Sequence, residues 1–247
     1  MMKLSDNTLF ITGGASGIGL SLAKAFIARN NKVIICGRNL DKLEKVKKEV
    51  PDIRAVRCDV TNGDDIRKTI EYFASQELNV NILVNNAGIQ YRYDLLSDST
   101  ADQKIREEIE INFTSVASLT YRFLPILKKS PQAAVVNISS FLGIVPKGSA
   151  PVYCATKAAL HVFSKALRYQ LEQSSIKVFE VLTPLVDTDM TKGREDDVGK
   201  MSPDVLASSV LRGIEADRYE ITPGKAKVVL LLNRLLPSLI EKVIKKR

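Results

Sequence analysis

Residues 12–19 of this 247-residue chain hold four of its 13 glycines, and their sequence, Thr-Gly-Gly-Ala-Ser-Gly-Ile-Gly, could bind a phosphate group. A short apolar run at 8–11 precedes the window. Apolar residues follow it at helical spacing: Leu20, Leu22, Ala23, Phe26 and Ile27. Without Cβ atoms the backbone can approach a pyrophosphate closely, and a helix N-terminus adds unpaired N–H groups and partial positive charge. Strand, glycine turn and helix in this order predict a dinucleotide-binding loop. A turn that simply caps an ordinary helix is the alternative.

Tyr153 and Lys157 form a second group of residues that could take part in catalysis. They are four positions apart at the start of a predicted helix, so their side chains share one face. The spacing is weak evidence alone, because a chain with seven tyrosines and many lysines produces it by chance. Its context strengthens it, since an apolar run ends in Asn-Ile-Ser-Ser and Ser140 lies thirteen residues before Tyr153. A surface Tyr/Lys pair and a strand-end serine are the alternatives.

The elements that must position these residues alternate between strand and helix. Strand-like runs, apolar on both faces as in buried parallel strands, lie at 8–12, 32–36, 54–58, 81–84, 133–138 and 177–182. Helical patterns lie at 18–29, 40–49, 63–75, 101–128, 152–172 and 203–215. Repeated βα units predict an α/β fold with a doubly wound parallel sheet, a Rossmann fold. Because no linker or repeat divides residues 1–247, we predict a single dinucleotide-binding and catalytic domain, with a mobile polar loop at 188–201.

Composition narrows the classes of function. A net charge of +8, with 45% hydrophobic and 26% charged residues, is ordinary for a globular enzyme. Three cysteines without pairing or metal-like spacing favour reduced thiols and a cytoplasmic location. We expect no signal peptide, because the first strand begins by about residue 7, and no membrane span, because the apolar runs are far shorter than the ~20 residues that one needs. The single histidine, His161, leaves little for a metal site, so we expect no metal and a structural or surface role for His161. Nothing in the sequence suggests nucleic-acid binding.

Residues 225–247 form an apolar and basic extension. Apolar side chains recur at helical spacing from Val228 to Ile244, and Pro237 must kink or split the helix because it lacks an N–H. Lys242, Lys245, Lys246 and Arg247 favour a helix C-terminus electrostatically. Two alternatives remain open. The extension packs on its own domain or a second subunit, or it lies on an anionic membrane surface.

Taken in order, the motifs resemble the single-domain branch of the short-chain dehydrogenase/reductase family over about residues 6–190. They are the glycine window, Asp59, Asn85-Asn86-Ala87-Gly88, Asn112, Ser140, Tyr153 and Lys157. Residues 33–39 and 184–190 are similar to a bacterial subgroup that includes the oxidoreductase associated with lipoteichoic-acid D-alanylation genes. The resemblance implies an oxidoreductase that interconverts a carbonyl and an alcohol by hydride transfer. A catalytically silent cofactor-binding sensor or scaffold, and a membrane-surface interaction protein, are the alternatives.

The resemblance implies four catalytic residues. Tyr153 would exchange a proton with the substrate oxygen, and Lys157 would favour the phenolate, because a free tyrosine pKa near ~10 is too high for neutral pH. Lys157 would also bind the nicotinamide ribose. Ser140 would hydrogen-bond the substrate oxygen, and Asn112 would hold a water that relays protons to Lys157.

The resemblance also implies a set of cofactor contacts. They are Gly13, Ser16, Gly17, Ile18, Gly19, Arg38, Asp59, Asn86, Lys157 and Thr188. NAD-specific sites carry an Asp or Glu about twenty residues past the glycines, where this chain has Gly37 followed by Arg38. A guanidinium suits a 2′-phosphate, so we expect NADP(H) to be preferred over NAD(H). Ser16 counts against a preference for NADP(H), because many NADP enzymes of the family have a basic residue at this position.

Three expectations concern substrate and assembly. Leu185 stands where the family usually has glycine, and it could narrow the pocket or have little effect. We expect a small and apolar substrate, with pocket walls from Phe141, Leu142, Ile144, Tyr91, Tyr93 and Leu185; Arg92 could meet an anionic group but better fits a surface arginine. The family's helices pair across a two-fold axis, which predicts a homodimer or homotetramer. The apolar positions offered for that interface are Phe113, Val116, Leu119, Phe123, Val162, Phe163 and Leu167. The alternative is that these residues only cover the sheet.

Overall fold

The structure, a computed structural model, describes residues 1–193 and 199–245. Seven strands form one sheet in the order β3-β2-β1-β4-β5-β6-β7, and every adjacent pair is parallel. The strands are β1 (Thr8–Thr12), β2 (Lys32–Gly37), β3 (Ile53–Arg57), β4 (Ile82–Asn85), β5 (Ala133–Ser140), β6 (Ile176–Thr183) and β7 (Glu220–Ile221). This is the doubly wound sheet that the sequence predicts. The sequence analysis missed β7, because two residues are too few to show a period.

Helices cover both faces of the sheet. They are α1 (Gly17–Ile27), α2 (Leu40–Glu49), α3 (Gly63–Ser75), α4 (Ala101–Ile109), α5 (Ser115–Leu127), α6 (Pro151–Gln170), α7 (Pro203–Glu215), α8 (Lys225–Leu235) and α9 (Pro237–Lys245). Asparagine side chains cap the N-termini of α2 and α3. Asn39 accepts the N–H of Lys42 at 2.9 Å, and Asn62 accepts that of Asp64 at 2.9 Å.

The expected single helix over 101–128 is interrupted. A π-helical turn, Glu110–Thr114, separates α4 from α5, and the Ser115 N–H bonds back five residues to the Glu110 carbonyl. The apolar periodicity runs through this segment without a gap, so the sequence analysis missed the turn. Such turns occur frequently at functional sites, and this one places Asn112 at its centre.

Two hydrophobic layers sandwich the sheet, because alternate residues of each strand point to opposite faces. Leu9 and Ile11 of β1 pack in a layer with α1 and α7. Phe10, between them, packs on the other side with Phe73 and Phe123, at ring-centroid distances of 5.1 and 5.3 Å. The continuous core accounts for a single domain.

Several apolar residues predicted to form a subunit interface are instead buried within the chain. Four of the seven proposed interface residues are buried within the chain itself: Val116, Leu119, Phe123 and Leu167. Phe113 and Phe163 are half-buried and contact each other edge-to-face at 6.0 Å, so only Val162 is fully available, with 64% of its surface exposed. Leu119 and Phe123 lie in the layer beside the sheet, as the alternative expects, and assembly into an oligomer stays a prediction.

The C-terminal extension is a helical hairpin. Gly224, with φ of +59°, leads into α8. This helix ends at Leu235, Leu236 is its C-cap, and Pro237 begins α9. The predicted split at Pro237 is confirmed. Ile240 and Ile244 pack with Val145 near the carboxyl end of β5. Lys246 and Arg247, expected at the helix end, lie outside the described residues. Across the described ranges, no helix has both the length and the apolar character needed to cross a membrane.

The polar loop expected at 188–201 includes residues 194–198, which lie outside the described residues. Its ends are held by main-chain bonds. Met201 donates to the Leu185 carbonyl at 2.9 Å, and Asp187 donates to the Met201 carbonyl at 2.9 Å. The two flanks of the loop are therefore joined beside the end of β6.

Candidate active site

The glycine loop lies at the carboxyl edge of the sheet, between β1 and α1, where the strand order reverses. Gly13 and Gly17 have φ values of +62° and +50°, a region that side chains disfavour. A Cβ on Gly19 would lie 2.5 Å from the Gly13 carbonyl oxygen, so α1 can approach the loop only with glycine there. The loop is therefore shaped by its glycines rather than by its side chains.

The N-terminus of α1 opens into the same crevice. Ser16 occupies the N-cap position, but among the described residues its side chain makes no capping hydrogen bond, and the first turn of α1 holds no acidic residue. The first N–H groups of the helix and its positive dipole end thus suit an anion.

Asn86 braces the loop from β4. Its side-chain amide donates to the carbonyls of Thr12 at 2.9 Å and Gly13 at 3.1 Å. In return the Thr12 hydroxyl accepts the N–H groups of Asn86 and Ala87, each at 3.0 Å. The bonds join the ends of β1 and β4 and fix one wall of the crevice.

The crevice has a volume of about 330 Å³. Ten of the thirteen predicted site residues line it: Gly13, Ser16, Gly17, Ile18, Arg38, Asp59, Asn86, Tyr153, Lys157 and Thr188. Gly19, Asn112 and Ser140 are not part of the lining. The wall also includes residues that the sequence analysis did not select, among them Thr183, whose hydroxyl donates to the Ser139 carbonyl at 2.8 Å.

Tyr153 and Lys157 lie on the inward face of α6, with 8% and 5% of their surfaces exposed. The Lys157 ammonium donates to the Ile138 carbonyl at 2.9 Å and lies 5.7 Å from the centroid of the Tyr153 ring. Burial lowers the pKa of Lys157 to about 8, partly offset by the charge of Glu180. A titratable cation thus lies beside the tyrosine ring near neutral pH.

Asn112 is fully buried behind this pair. Its side-chain oxygen accepts the Ile89 N–H at 2.8 Å, and its amide nitrogen donates to the Ile89 carbonyl at 2.9 Å and to the Thr156 hydroxyl at 3.2 Å. The side chain is therefore committed to holding the main chain of Ile89, which lines the crevice. A Cβ on Gly88 would lie 3.2 Å from the Asn112 oxygen, so glycine permits this approach.

Ser140 ends β5 and is 4% exposed. Its hydroxyl oxygen accepts the Leu142 N–H at 3.2 Å, which caps a short 3₁₀ turn at Phe141–Gly143. This turn bears three of the expected pocket walls, and the structure corrects their assignment. Phe141, Leu142 and Ile144 do not line the crevice but pack into the cluster formed with Val145 and the C-terminal hairpin.

The other expected walls also lie outside the crevice. The hydroxyls of Tyr91 and Tyr93 donate to the carboxylates of Glu107 and Glu108, and burial, followed by the Glu108 charge, raises the pKa of Tyr93 to about 12. Tyr91 lines an adjoining cavity of about 660 Å³ instead.

The structure also locates Leu185 and Arg92, the two other residues for which the sequence left alternatives open. Leu185 is half-buried and its main chain bonds to Met201. It is not among the positive-φ positions, so its backbone does not require the glycine that the family usually carries there. Arg92 is exposed, as the surface alternative expects.

Arg38 follows the last residue of β2 and borders both cavities. Its side chain is 62% exposed, and its Nη1 lies 3.9 Å from Asp59 Oδ2. The other Asp59 oxygen accepts the N–H and the hydroxyl of Thr61 at 2.9 and 2.8 Å. A cation rather than a carboxylate therefore occupies the end of β2.

A buried carboxylate under α6 was not selected from the sequence. Glu180 of β6 is 1% exposed, and its Oε2 lies 2.7 Å from Nδ1 of His161, one helical turn beyond Lys157. This hydrogen bond raises the pKa of His161. The signal in the sequence was an acidic residue inside the otherwise apolar stretch 178–182. His161 has the structural role that the sequence analysis expected.

Comparisons with known proteins agree with this geometry. The family model described as short chain dehydrogenase matches residues 7–199. The chain is 40% identical over 225 residues to an uncharacterized oxidoreductase, DltE, of Bacillus subtilis, covering 90% of this chain and 89% of the relative. It is 31% identical to the very-long-chain 3-oxoacyl-CoA reductase of Bos taurus, covering 83% of this chain and 67% of the relative.

Solved structures show the same fold. A short chain dehydrogenase from Burkholderia cenocepacia in complex with NADP superposes with a TM-score of 0.86 at 23% identity, over 98% of this chain and 99% of that one. A relative from Burkholderia phymatum in complex with NAD also reaches 0.86, at 21% identity, over 98% and 96% of the two chains. The family model matches most of this chain, which also has the glycine loop and the crevice at the strand reversal. This chain belongs to the short-chain dehydrogenase family and is an oxidoreductase acting on CH–OH or carbonyl groups.

Proposed function

We propose that this protein interconverts a carbonyl and an alcohol, with NADP(H) preferred over NAD(H) and Tyr153 as proton donor and acceptor. One observation carries the proposal: Tyr153 and Lys157 are buried in the wall of the same crevice that the glycine loop closes. The substrate is a small molecule that carries the carbonyl or the alcohol.

The crevice fits a dinucleotide on its own geometry. Its glycines leave no side chain between the loop and a bound pyrophosphate, and the uncapped N-terminus of α1 faces the same space. When bound, the nicotinamide supplies or accepts the hydride. Gly13, Ser16, Gly17 and Ile18 would hold the phosphates, and Gly19 lets α1 approach the loop closely enough for this. Asp59 and Asn86 would border the adenosine, and Thr188 would border the nicotinamide.

Each catalytic side chain has a task that its position supports. Tyr153 gives a proton to the carbonyl oxygen in reduction and takes it back in oxidation. The Lys157 charge favours the phenolate of Tyr153, because the Nζ lies beside the ring. Ser140 orients the substrate oxygen by donating its hydroxyl proton, which the bond from the Leu142 N–H to the serine oxygen leaves available. Since the Asn112 amide is committed to Ile89, a water relay to Lys157 would use the Asn112 main-chain carbonyl.

The test of catalysis is Tyr153→Phe. We expect nicotinamide binding within about twofold of wild type and turnover that is slower by a factor of roughly 10²–10⁴, the range of a general acid or base. A panel of carbonyls and alcohols, followed by NADPH absorbance and repeated with NADH, supplies the substrate. Tyr169→Phe, on the exposed side of the same helix, is the matched control. A Tyr153→Phe protein with most of its activity intact would contradict the assignment.

The preference for NADP(H) rests on Arg38. A charge-assisted hydrogen bond contributes about 1.5–3 kcal/mol, so NADPH should bind roughly tenfold to a hundredfold more tightly than NADH. Arg38→Gln should remove this difference without weakening NADH. Arg54→Gln, on the exposed side of β3, is the control. Equal affinities of the wild-type protein for the two cofactors would exclude the role of Arg38.

Assembly and location complete the proposal. The protein works in the cytoplasm, where its three free thiols, Cys36, Cys58 and Cys154, stay reduced. It forms a homodimer or homotetramer through the outer faces of α5 and α6, which expose Tyr121, Val162 and Tyr169. Light scattering at micromolar concentration tests the assembly, and a mass near the 27.3 kDa of one chain would refute it.

A further inference from the structure

The hairpin of α8 and α9 is apolar on two sides. Its inner side packs on the domain through Ala226, Ile240 and Ile244. Its outer side exposes a second apolar set at helical spacing: Val228 (57% exposed), Leu231 (57%), Leu232 (38%), Leu235 (69%), Leu236 (51%) and Leu239 (55%). We call these six residues the outer stripe. Packing on the domain, one of the two expected roles of the extension, is thus satisfied without them.

The charge around the outer stripe is one-sided. Residues 222–247 carry seven basic side chains and one acidic side chain, in a protein whose net charge is +8. Lys227 and Arg234 are exposed on α8, at positions that flank the stripe, and Lys242 is exposed on α9. The described basic residues Lys227, Arg234 and Lys242 therefore lie on the same two helices as the exposed apolar residues of the outer stripe.

This combination selects among the possible occupants. A symmetric contact with a second copy would bring the same basic residues of both copies together, which like-charge repulsion opposes. An anionic lipid surface complements both properties, because leucines enter the acyl boundary while lysines and arginines meet the headgroups. At 11 and 9 residues, the two helices suit lying on a bilayer rather than spanning it.

We propose that the outer stripe docks this protein on the surface of an anionic membrane. The docking face lies next to the active site, since the inner side of the same hairpin packs on the turn that follows Ser140. A protein docked in this way holds that end of its crevice close to the lipid headgroups. The proposal does not depend on the cofactor preference or on the catalytic roles.

The test is co-sedimentation of the full chain with vesicles of phosphatidylcholine containing 30% phosphatidylglycerol, and with vesicles of phosphatidylcholine alone. We expect at least tenfold stronger partitioning onto the anionic vesicles, reduced in high salt. Leu231→Ser with Leu235→Ser should lower partitioning at least tenfold. Lys227→Glu with Arg234→Glu should lower it by roughly 20-fold or more, since each basic residue near the surface contributes about fivefold.

A matched control separates this face from general surface apolarity. Leu95 and Leu96 are also exposed, at 54% and 99%, and Leu95→Ser with Leu96→Ser should leave partitioning unchanged. Circular dichroism and light scattering without lipid complete the design. A folded wild-type protein that sediments equally with both kinds of vesicle, or with neither, would overturn the proposal. So would an oligomer that dissociates in the Leu231→Ser, Leu235→Ser variant, because a second copy would then occupy the face.

Discussion

Replacing Lys157 by methionine should stabilise the folded apoprotein at neutral pH while damaging its activity. The Lys157 ammonium is 5% exposed, and burial lowers its pKa from the ordinary 10.5 to about 8. A difference of that size corresponds to roughly 3 kcal/mol of cost for keeping the group charged in the fold. Methionine has a similar length and no charge, so it removes this cost. It also removes the bond to the Ile138 carbonyl, which offsets about 1–2 kcal/mol.

The difference in stability between Lys157→Met and wild type depends on pH. Below the folded pKa of about 8, the lysine is charged in both states and the fold bears the whole cost. Between that value and 10.5 the unfolded chain binds more protons, so the stability of the wild type rises with pH and the cost disappears. We therefore expect Lys157→Met to be about 1–2 kcal/mol more stable than wild type at pH 7. By pH 10 this difference should change by about 2–3 kcal/mol and reverse, so that Lys157→Met is about 1 kcal/mol less stable than wild type.

Urea unfolding followed by circular dichroism at pH 7 and pH 10 measures this difference. Lys68→Met, which removes an exposed lysine of α3, is the control for the loss of one lysine. On a verified substrate, the catalytic efficiency of Lys157→Met should fall at least a hundredfold. A difference in stability between Lys157→Met and wild type that is the same at both pH values would refute the reasoning.

Three further predictions follow from the packing. Gly19→Ala should weaken cofactor binding at least tenfold and lower the free energy of unfolding by about 1–3 kcal/mol, because its Cβ would lie 2.5 Å from the Gly13 oxygen. Gly199→Ala, whose Cβ would have no neighbour within 4 Å among the described residues, is its control, and equal effects would count against the loop geometry. His161→Gln should cost more stability at pH 6 than at pH 9 in urea titrations. The Glu180 bond raises the His161 pKa above 6.5, so its stabilisation is complete below that value and is lost as pH rises through the folded pKa; a cost independent of pH would contradict it. Phe123→Ala should cost about 3–5 kcal/mol in the same assay, since the ring is fully buried against Phe10 and Phe73; a loss below 1 kcal/mol would show that this layer is loosely packed.

The features that were predictable from the sequence are those that short stretches of chain determine. The glycine window, the apolar strands and the break at Pro237 each depend on the conformational limits of a few neighbouring residues. The strands before and after the glycine window were placed within a residue or two for the same reason. The order of motifs then indicated which residues would share one crevice, and ten of the thirteen line it.

The features that were missed depend on contacts distant in sequence. The π-helical turn at Glu110–Thr114 leaves the apolar period intact, because Asn112 is held there by Ile89 rather than by its own helix. Phe141 and Ile144 turn away from the crevice because the C-terminal hairpin, about a hundred residues later, covers them. The partner of Glu180 likewise lies on another element. Periodicity cannot report which distant surface a side chain will meet.

The position of β1 in the strand order constrains how the chain folds as it is synthesised. β1 pairs with β2 on one side and with β4, more than seventy residues later, on the other. Until β4 emerges, one edge of β1 has no strand partner, and its fully buried residues Leu9, Phe10 and Ile11 remain open to contact with other chains. The Thr12 bonds that fix the glycine loop also need Asn86 and Ala87. The cofactor site can therefore form only after this long-range closure. Because a ligand that binds only the native state stabilises it, the nicotinamide nucleotide should favour the closed sheet over its incomplete forms.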